Sequence, residues 1–166
     1  EAVKRARQKI PALNLVIVCG RNVFWQRLKQ EIKNSQSEDF VRLTGFVPDE
    51  DLRILYQEAI AFVFPSLSEG FGLPGLEAAS LGCPVVSSNA TSLPEIYGSA
   101  ALYFNPYNPQ DMAEKIIKIC EDEKLRENLI KKGYQQVKKY SWEKMAEETI
   151  AGYEKAIIKH PGDDGI

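Results

Sequence analysis

Histidine is almost missing from this chain of 166 residues, and the only one, His160, sits close to its end. That scarcity excludes a Ser-His-Asp or Cys-His relay built within the chain. Cysteine is scarce too. Cys19, Cys83 and Cys120 are odd in number, far apart and free of any Cys-x-x-Cys, so reduced, buried thiols are expected rather than a zinc site or a disulfide framework. No apolar stretch approaches the roughly 20 residues of a membrane span, and no signal-peptide pattern is visible. Neither sign of charge dominates: 21 Lys and Arg against 23 Asp and Glu give a formal net charge of −2. A nucleic-acid partner is therefore not expected, and any phosphate chemistry must be local. A cytoplasmic location suits the free thiols.

What remains is enough for one domain with a full core, since 44% of the residues are hydrophobic and 27% charged. The pattern alternates short apolar runs with helical stretches. Residues 1–10 read as a helix stopped by Pro11, and 13–19 as a strand buried on both faces of a parallel sheet. Helix 24–33 carries Phe24, Leu28 and Ile32 on one stripe. Strand 40–43 turns at Gly45 into a helix capped by Asp49 and running to Glu58. Strand 60–64, helix 74–81, strand 84–87, a short helix 92–98 and strand 101–104 follow. Asn108 and Pro109 open a helix to about residue 121, and two more cover 123–139 and, from a Ser141 cap, 141–159. Such alternation means βαβ units. The expected fold is a Rossmann-like three-layer α/β/α domain with a parallel sheet over 1–159, with 160–166 as a disordered or vector-derived tail. Ligands in such sheets bind past the carboxyl ends of strands.

One of those strand ends carries most of the information. Residues 65–77 read Pro-Ser-Leu-Ser-Glu-Gly-Phe-Gly-Leu-Pro-Gly-Leu-Glu, with Glu69 and Glu77 separated by seven residues and Gly70, Gly72 and Gly75 between them. Pro74 favours the first turn of a helix, so the plan is strand, Gly-rich turn, helix. Such a turn aims backbone N–H groups at one spot where the helix dipole adds partial positive charge. An anion held there with a carboxylate on each side suits a phosphate joined to a sugar.

This run, with Glu-Ala-Ala-Ser-Leu-Gly-Cys-Pro-Val-Val and Leu-Pro-Glu-Ile-Tyr-Gly after it, resembles the C-terminal, donor-binding domain of retaining glycosyltransferases of the GT-B fold. More narrowly, it is similar to the bacterial family four that holds many mannosyl- and glucosyltransferases. The likeness extends from about Ala12 to Tyr153. It implies transfer of a sugar from a nucleoside diphosphate-sugar to a sugar or lipid-linked acceptor, with the acceptor held mainly by an N-terminal domain. It also implies work on cell-envelope polysaccharide in the cytoplasm or at the inner face of the membrane. No metal or other cofactor is implied.

By the same resemblance, Glu69 is the catalytic contact to donor-sugar hydroxyls, and the backbone of Gly70, Phe71, Gly72 and Leu73 covers the sugar and distal phosphate. Glu77 accepts from ribose hydroxyls, Phe46 and Val47 meet the base, and Gly20 and Arg21 lie near the diphosphate. Residues 87–95 line the nucleotide pocket. The family places a strand and loop, with a diphosphate-binding Arg and Lys, before the first helix. Here residue 1 already stands inside that helix, so the chain is expected to be shortened at its front and inactive as an isolated domain.

Other readings of the same residues are weaker. Two acids also serve glycoside hydrolysis, but hydrolase carboxylates come from separate elements facing across a sugar bond. Asp49-Glu50-Asp51 spells Asp-x-Asp, yet it opens a helix, where capping and dipole pairing account for it. Lys131, Lys132, Lys138 and Lys139 read as a solvated face, with peripheral contact to an anionic membrane as the second reading. Trp142, Met145, Thr149 and Tyr153 step at helical spacing and are expected to pack on the core. A sugar-nucleotide epimerase and a catalytically idle nucleotide-sugar-binding domain are the alternative functions.

Overall fold

The computed structural model describes residues 1–20 and 23–159. Its elements are α1 (Ala2–Ala6), β1 (Leu15–Val18), α2 (Val23–Asn34), β2 (Val41–Gly45), α3 (Asp49–Glu58), β3 (Phe62–Phe64) and α4 (Leu73–Ser80). They continue as β4 (Val85–Ser88), α5 (Leu93–Tyr97), a 3-10 turn (Gly98–Ala100), β5 (Ala101–Phe104), α6 (Pro109–Glu121), α7 (Glu123–Val137) and α8 (Trp142–Lys159). The βα alternation read from the sequence is present throughout.

All the strand pairings are parallel, but the strands form two sheets, β1-β2 and β3-β4-β5. Among the described residues β1, β2, β3 and β5 each keep one unpaired edge. The expectation of a first strand buried on both faces is not met. Leu15 and Ile17 are half-buried, whereas Val16 and Val18, on the opposite face of β1, are 46% and 39% exposed, so that face is incompletely covered.

β4 is the buried centre of the larger sheet, and its alternation builds the layers. Val85 joins Leu76, Ala78 and Ala79 of α4 with Leu93, Ile96 and Tyr97 of α5. Val86 joins Phe104 of β5, Ile119 of α6 and Leu129 of α7 on the other face. Each such side chain contributes about 1.5–3 kcal/mol when fully buried. A third cluster sets Ala2 and Ala6 of α1 against Ala113 and Ile116 of α6, with Leu13 and Val63 packed on it.

Helix starts follow local chemistry. Asn108 accepts from the N–H groups of Gln110 and Asp111, and Ser141 Oγ accepts from Lys144 at 3.1 Å. Asp49 does not cap α3. Pro48, with no side-chain acceptor, holds that position, so Asp49, Glu50 and Asp51 fill the first helical turn, where they suit the dipole.

α8 departs most from expectation. Its described side chains are exposed except Ala151, which is half-buried, and Trp142 and Tyr153 are 67% and 68% exposed. The apolar stripe is present, but no layer of the domain covers it. Cys83 is buried while Cys19 and Cys120 are half-buried, and all three are free thiols. Among the described residues no helix is long and apolar enough to cross a membrane.

Candidate functional site

The Gly-rich run leaves the end of β3 and enters α4, and a second loop, from the end of β4 into α5, holds it from the side. Ser88 Oγ donates to the Ser66 carbonyl at 2.6 Å. Ser66 Oγ donates to Glu69 Oε1 at 2.8 Å, a charge-assisted bond that directs the carboxylate. The Glu69 N–H donates to Thr91 Oγ1 at 3.1 Å, and the same hydroxyl donates back to the Glu69 carbonyl at 3.1 Å. Ser92 Oγ donates to that carbonyl at 2.8 Å. Glu69 is thus held at its N–H, its C=O and its carboxylate by three hydroxyls.

Thr91 reaches Glu69 from an unusual backbone. Its φ is 49°, and among the described residues Gln36 is the other non-glycine with positive φ. A β-branched residue in this region costs on the order of 1–3 kcal/mol, and such positions collect at functional sites.

The glycines divide into two kinds. Gly72 has φ 93°, and a Cβ there would lie 2.6 Å from Leu93 Cδ2 and 2.6 Å from Tyr97 Oη. A Cβ on Gly75 would come within 2.3 Å of Tyr97 Oη. These two let the turn and α4 sit on Tyr97, whose hydroxyl donates to the Gly72 carbonyl at 2.5 Å. Burial pushes the Tyr97 phenol well above its ordinary range, with the nearby Glu69 charge acting the same way. Gly70 is different. A Cβ there would meet no atom within 4 Å, so open space rather than packing adjoins it.

Pro74 brings no N–H, and the Gly75 N–H donates to the Gly72 carbonyl at 3.2 Å. Neither residue therefore leaves a free N–H at this point of the helix start. The Phe71 ring meets Tyr140 edge-on at 5.2 Å, and Leu73 is 44% exposed. Glu77 is exposed on α4. Its charge helps raise the Tyr56 phenol of α3 to about 12, behind burial as the larger cause. So Glu77 lies on the side of α4 that meets α3.

The structure gathers Glu69, Gly70, Phe71, Gly72, Leu73 and Glu77 on one loop and the helix after it. Phe46 and Val47 follow β2 and Gly20 follows β1, each past the carboxyl end of its strand in the smaller sheet. Phe46 projects into solvent and Val47 is half-buried. A Cβ on Gly20, as on Gly70, would meet nothing within 4 Å. Arg21 lies outside the described residues. Glu95 stands exposed in the first turn of α5. Sequence reasoning placed 87–95 beside the pocket but gave no task to Ser66, Thr91, Ser92 or Tyr97. The hydroxyl run Thr91-Ser92 before Leu93-Pro94 was the available signal. A cavity of about 260 Å³ bordered by Ile60, Pro84, Glu123 and Arg126 lies at the opposite, amino ends of β3 and β4.

Residues 1–136 match the family described as glycosyl transferases group 1. The chain belongs to that family. This glycosyl transferase domain is 43% identical over 132 residues to O-antigen chain mannosyltransferase B of Escherichia coli, covering 80% of the chain and 34% of the relative. Sucrose-phosphate synthase of Thermosynechococcus elongatus superposes with a TM-score of 0.79 at 26% identity, over 95% of this chain and 42% of that one. The C-terminal domain of a glycosyl transferase group 1 protein from Francisella tularensis superposes with a TM-score of 0.69 at 28% identity, over 83% and 74% of the two chains. The fold is that of GT-B glycosyltransferases. The domain spans 14–34% of the length of the curated relatives it matches, several of them mannosyltransferases.

Proposed function

We propose that this domain binds a nucleoside diphosphate-sugar and serves as the C-terminal, donor half of a retaining hexosyltransferase, with mannose as the transferred sugar. The observation that carries the reading is the clamped Glu69 next to the open side of Gly70. A glutamate held at its N–H, its C=O and its carboxylate borders a turn whose backbone a ligand can approach closely, as only glycine permits. In this reading Glu69 contacts sugar hydroxyls beside the reacting carbon. Main-chain groups from Gly70 to Leu73 cover the sugar and distal phosphate, and Glu77 accepts from the ribose. Phe46 and Val47 offer main-chain groups to the base, and Gly20 and Arg21 border the diphosphate.

No metal enters the proposal. Loop N–H groups and the α4 dipole meet the charge that develops on the leaving diphosphate. The mannosyl reading is supported by relatives named as O-antigen chain mannosyltransferases, and it makes a growing envelope polysaccharide, sugar or lipid-linked, the acceptor. A companion N-terminal domain would hold that acceptor in the cytoplasm or at the inner face of the membrane. Alone, the domain binds donor and transfers nothing.

Thermal-shift and NMR titration of this chain with GDP-, UDP-, ADP- and dTDP-sugars, with and without EDTA, tests the proposal. One base class should bind, indifferent to chelator, and Glu69→Gln should lose the increment that the sugar adds over the nucleoside diphosphate alone. Failure of every nucleotide to bind, or binding that EDTA abolishes, would overturn it.

A further inference from the structure

We infer that Thr91 is a positioning residue: its hydroxyl, delivered by a strained backbone, fixes the Glu69 main chain from which the carboxylate, tied by Ser66, is aimed. The inference rests on the proposed contact between Glu69 and the donor sugar, and it adds a residue that touches no ligand.

Glu69 stands between exposed Leu67-Ser68 and Gly70, on a loop with little apolar anchorage of its own. Its hold comes from the neighbouring loop. Thr91 Oγ1 both accepts from the Glu69 N–H and donates to the Glu69 C=O, each at 3.1 Å, so one hydroxyl fixes the peptide groups on both sides of the Cα. Ser92 adds a second donor to the carbonyl at 2.8 Å, and Ser66 directs the carboxylate at 2.8 Å. With the backbone clamped and the carboxylate tied, the side chain has one direction to take.

The backbone of Thr91 supports a role beyond stability. At φ 49° glycine would be the comfortable residue, and the side chain is exposed, so no core packing asks for a threonine. What the threonine supplies is the hydroxyl. A residue kept for fold alone would favour glycine here; a residue kept for aiming Glu69 must carry an oxygen.

Thr91→Gly therefore separates the two roles, and Thr91→Ser returns the hydroxyl. Hydrogen exchange on this chain reads the clamp. The Glu69 amide should exchange about 10-fold or more faster in Thr91→Gly and return toward the parent rate in Thr91→Ser, with Tm equal to or above the parent for Thr91→Gly. Turnover in the full-length transferase reads the consequence. Thr91→Gly should lower kcat about 10- to 100-fold while nucleoside diphosphate affinity moves less than about 3-fold, and Thr91→Ser should recover most of the loss. An unchanged Glu69 exchange rate overturns the inference. So does a faster exchange with normal kcat while Glu69→Gln is impaired. If Glu69→Gln itself turns over normally, the sugar contact of Glu69 is wrong and Thr91 loses its catalytic consequence, whereas the exchange result still reports on the clamp.

Discussion

Tyr97 and Gly75 share one volume: the phenol oxygen occupies the place a side chain at 75 would need, 2.3 Å from an ideal Cβ, with ring carbons at 2.4 and 2.8 Å. The same oxygen donates to the Gly72 carbonyl, so the ring seats α4 and the turn before it in one stroke. Gly75→Ala must push a buried ring out of a packed cluster, at a cost of about 1–3 kcal/mol. Chemical denaturation should show that loss. Tyr97→Phe removes only the hydrogen bond and should cost about 0.5–1.5 kcal/mol. A Gly75→Ala variant as stable as the parent would mean the ring relaxes freely.

Glu77→Ala should leave the fold intact, because the side chain is exposed, yet weaken nucleotide binding. Charge-assisted bonds lost to ribose hydroxyls are worth roughly 1.5–3 kcal/mol, or about 10- to 150-fold in affinity. Calorimetry with the nucleoside diphosphate checks this. The same variant should lower the Tyr56 pKa from about 12, since the Glu77 charge helps raise it; ultraviolet titration of the phenol checks that without any ligand.

Alkaline pH should unfold the domain by a defined route. Burial raises Cys83 from 9.0 to about 11 and Tyr103 from 10.0 to about 12, burial with the Glu77 charge raises Tyr56 to about 12, and Tyr97 goes higher still. In each case the folded state prefers the neutral, protonated group. Stability is therefore complete below the unfolded values of 9.0 and 10.0 and is lost as pH climbs through the folded values. Urea midpoints should decline from about pH 9 upward, and Cys83→Ala should flatten the earliest part of that decline. A midpoint constant to pH 11.5 would contradict the burial of these groups.

Removing 141–166 should cost the domain little. The described side chains of α8 are exposed except half-buried Ala151, so little packing on the core is lost with it. Tm should fall by no more than about 2–4 °C, the shift that about 1 kcal/mol gives in a chain this long. Differential scanning calorimetry of the shortened chain checks it. A fall of more than about 5 °C would show that α8 supports the core after all.

The turn and helix start within the Glu69 to Glu77 run were legible because they are local: the glycines and Pro74 specify them without reference to the rest of the fold. Asn108 and Ser141 were legible as caps for the same reason. Three features were not. The stripe Trp142, Met145, Thr149 and Tyr153 announces a helix with an apolar face, but periodicity never says what covers that face, and among the described residues it stands exposed. The left-handed backbone of Thr91 has no sequence mark, so the hydroxyl run Thr91-Ser92 was the one available signal for it. Burial of β1 was misread for a related reason, since an unbroken apolar run does not show that both faces of the strand are covered.

The divided sheet has a practical side. β1 is four apolar residues, Leu-Val-Ile-Val, with Val16 and Val18 bare and one row of peptide groups unmatched, and β3 offers a second such border. Without a charge or proline within the strand to repel a visitor, a border of this kind is a template on which another chain can lay its own strand. At high concentration these molecules should therefore stick to one another along β1 and β3 before any of them unfolds, and a lysine at position 16 should act as a gatekeeper that keeps them apart.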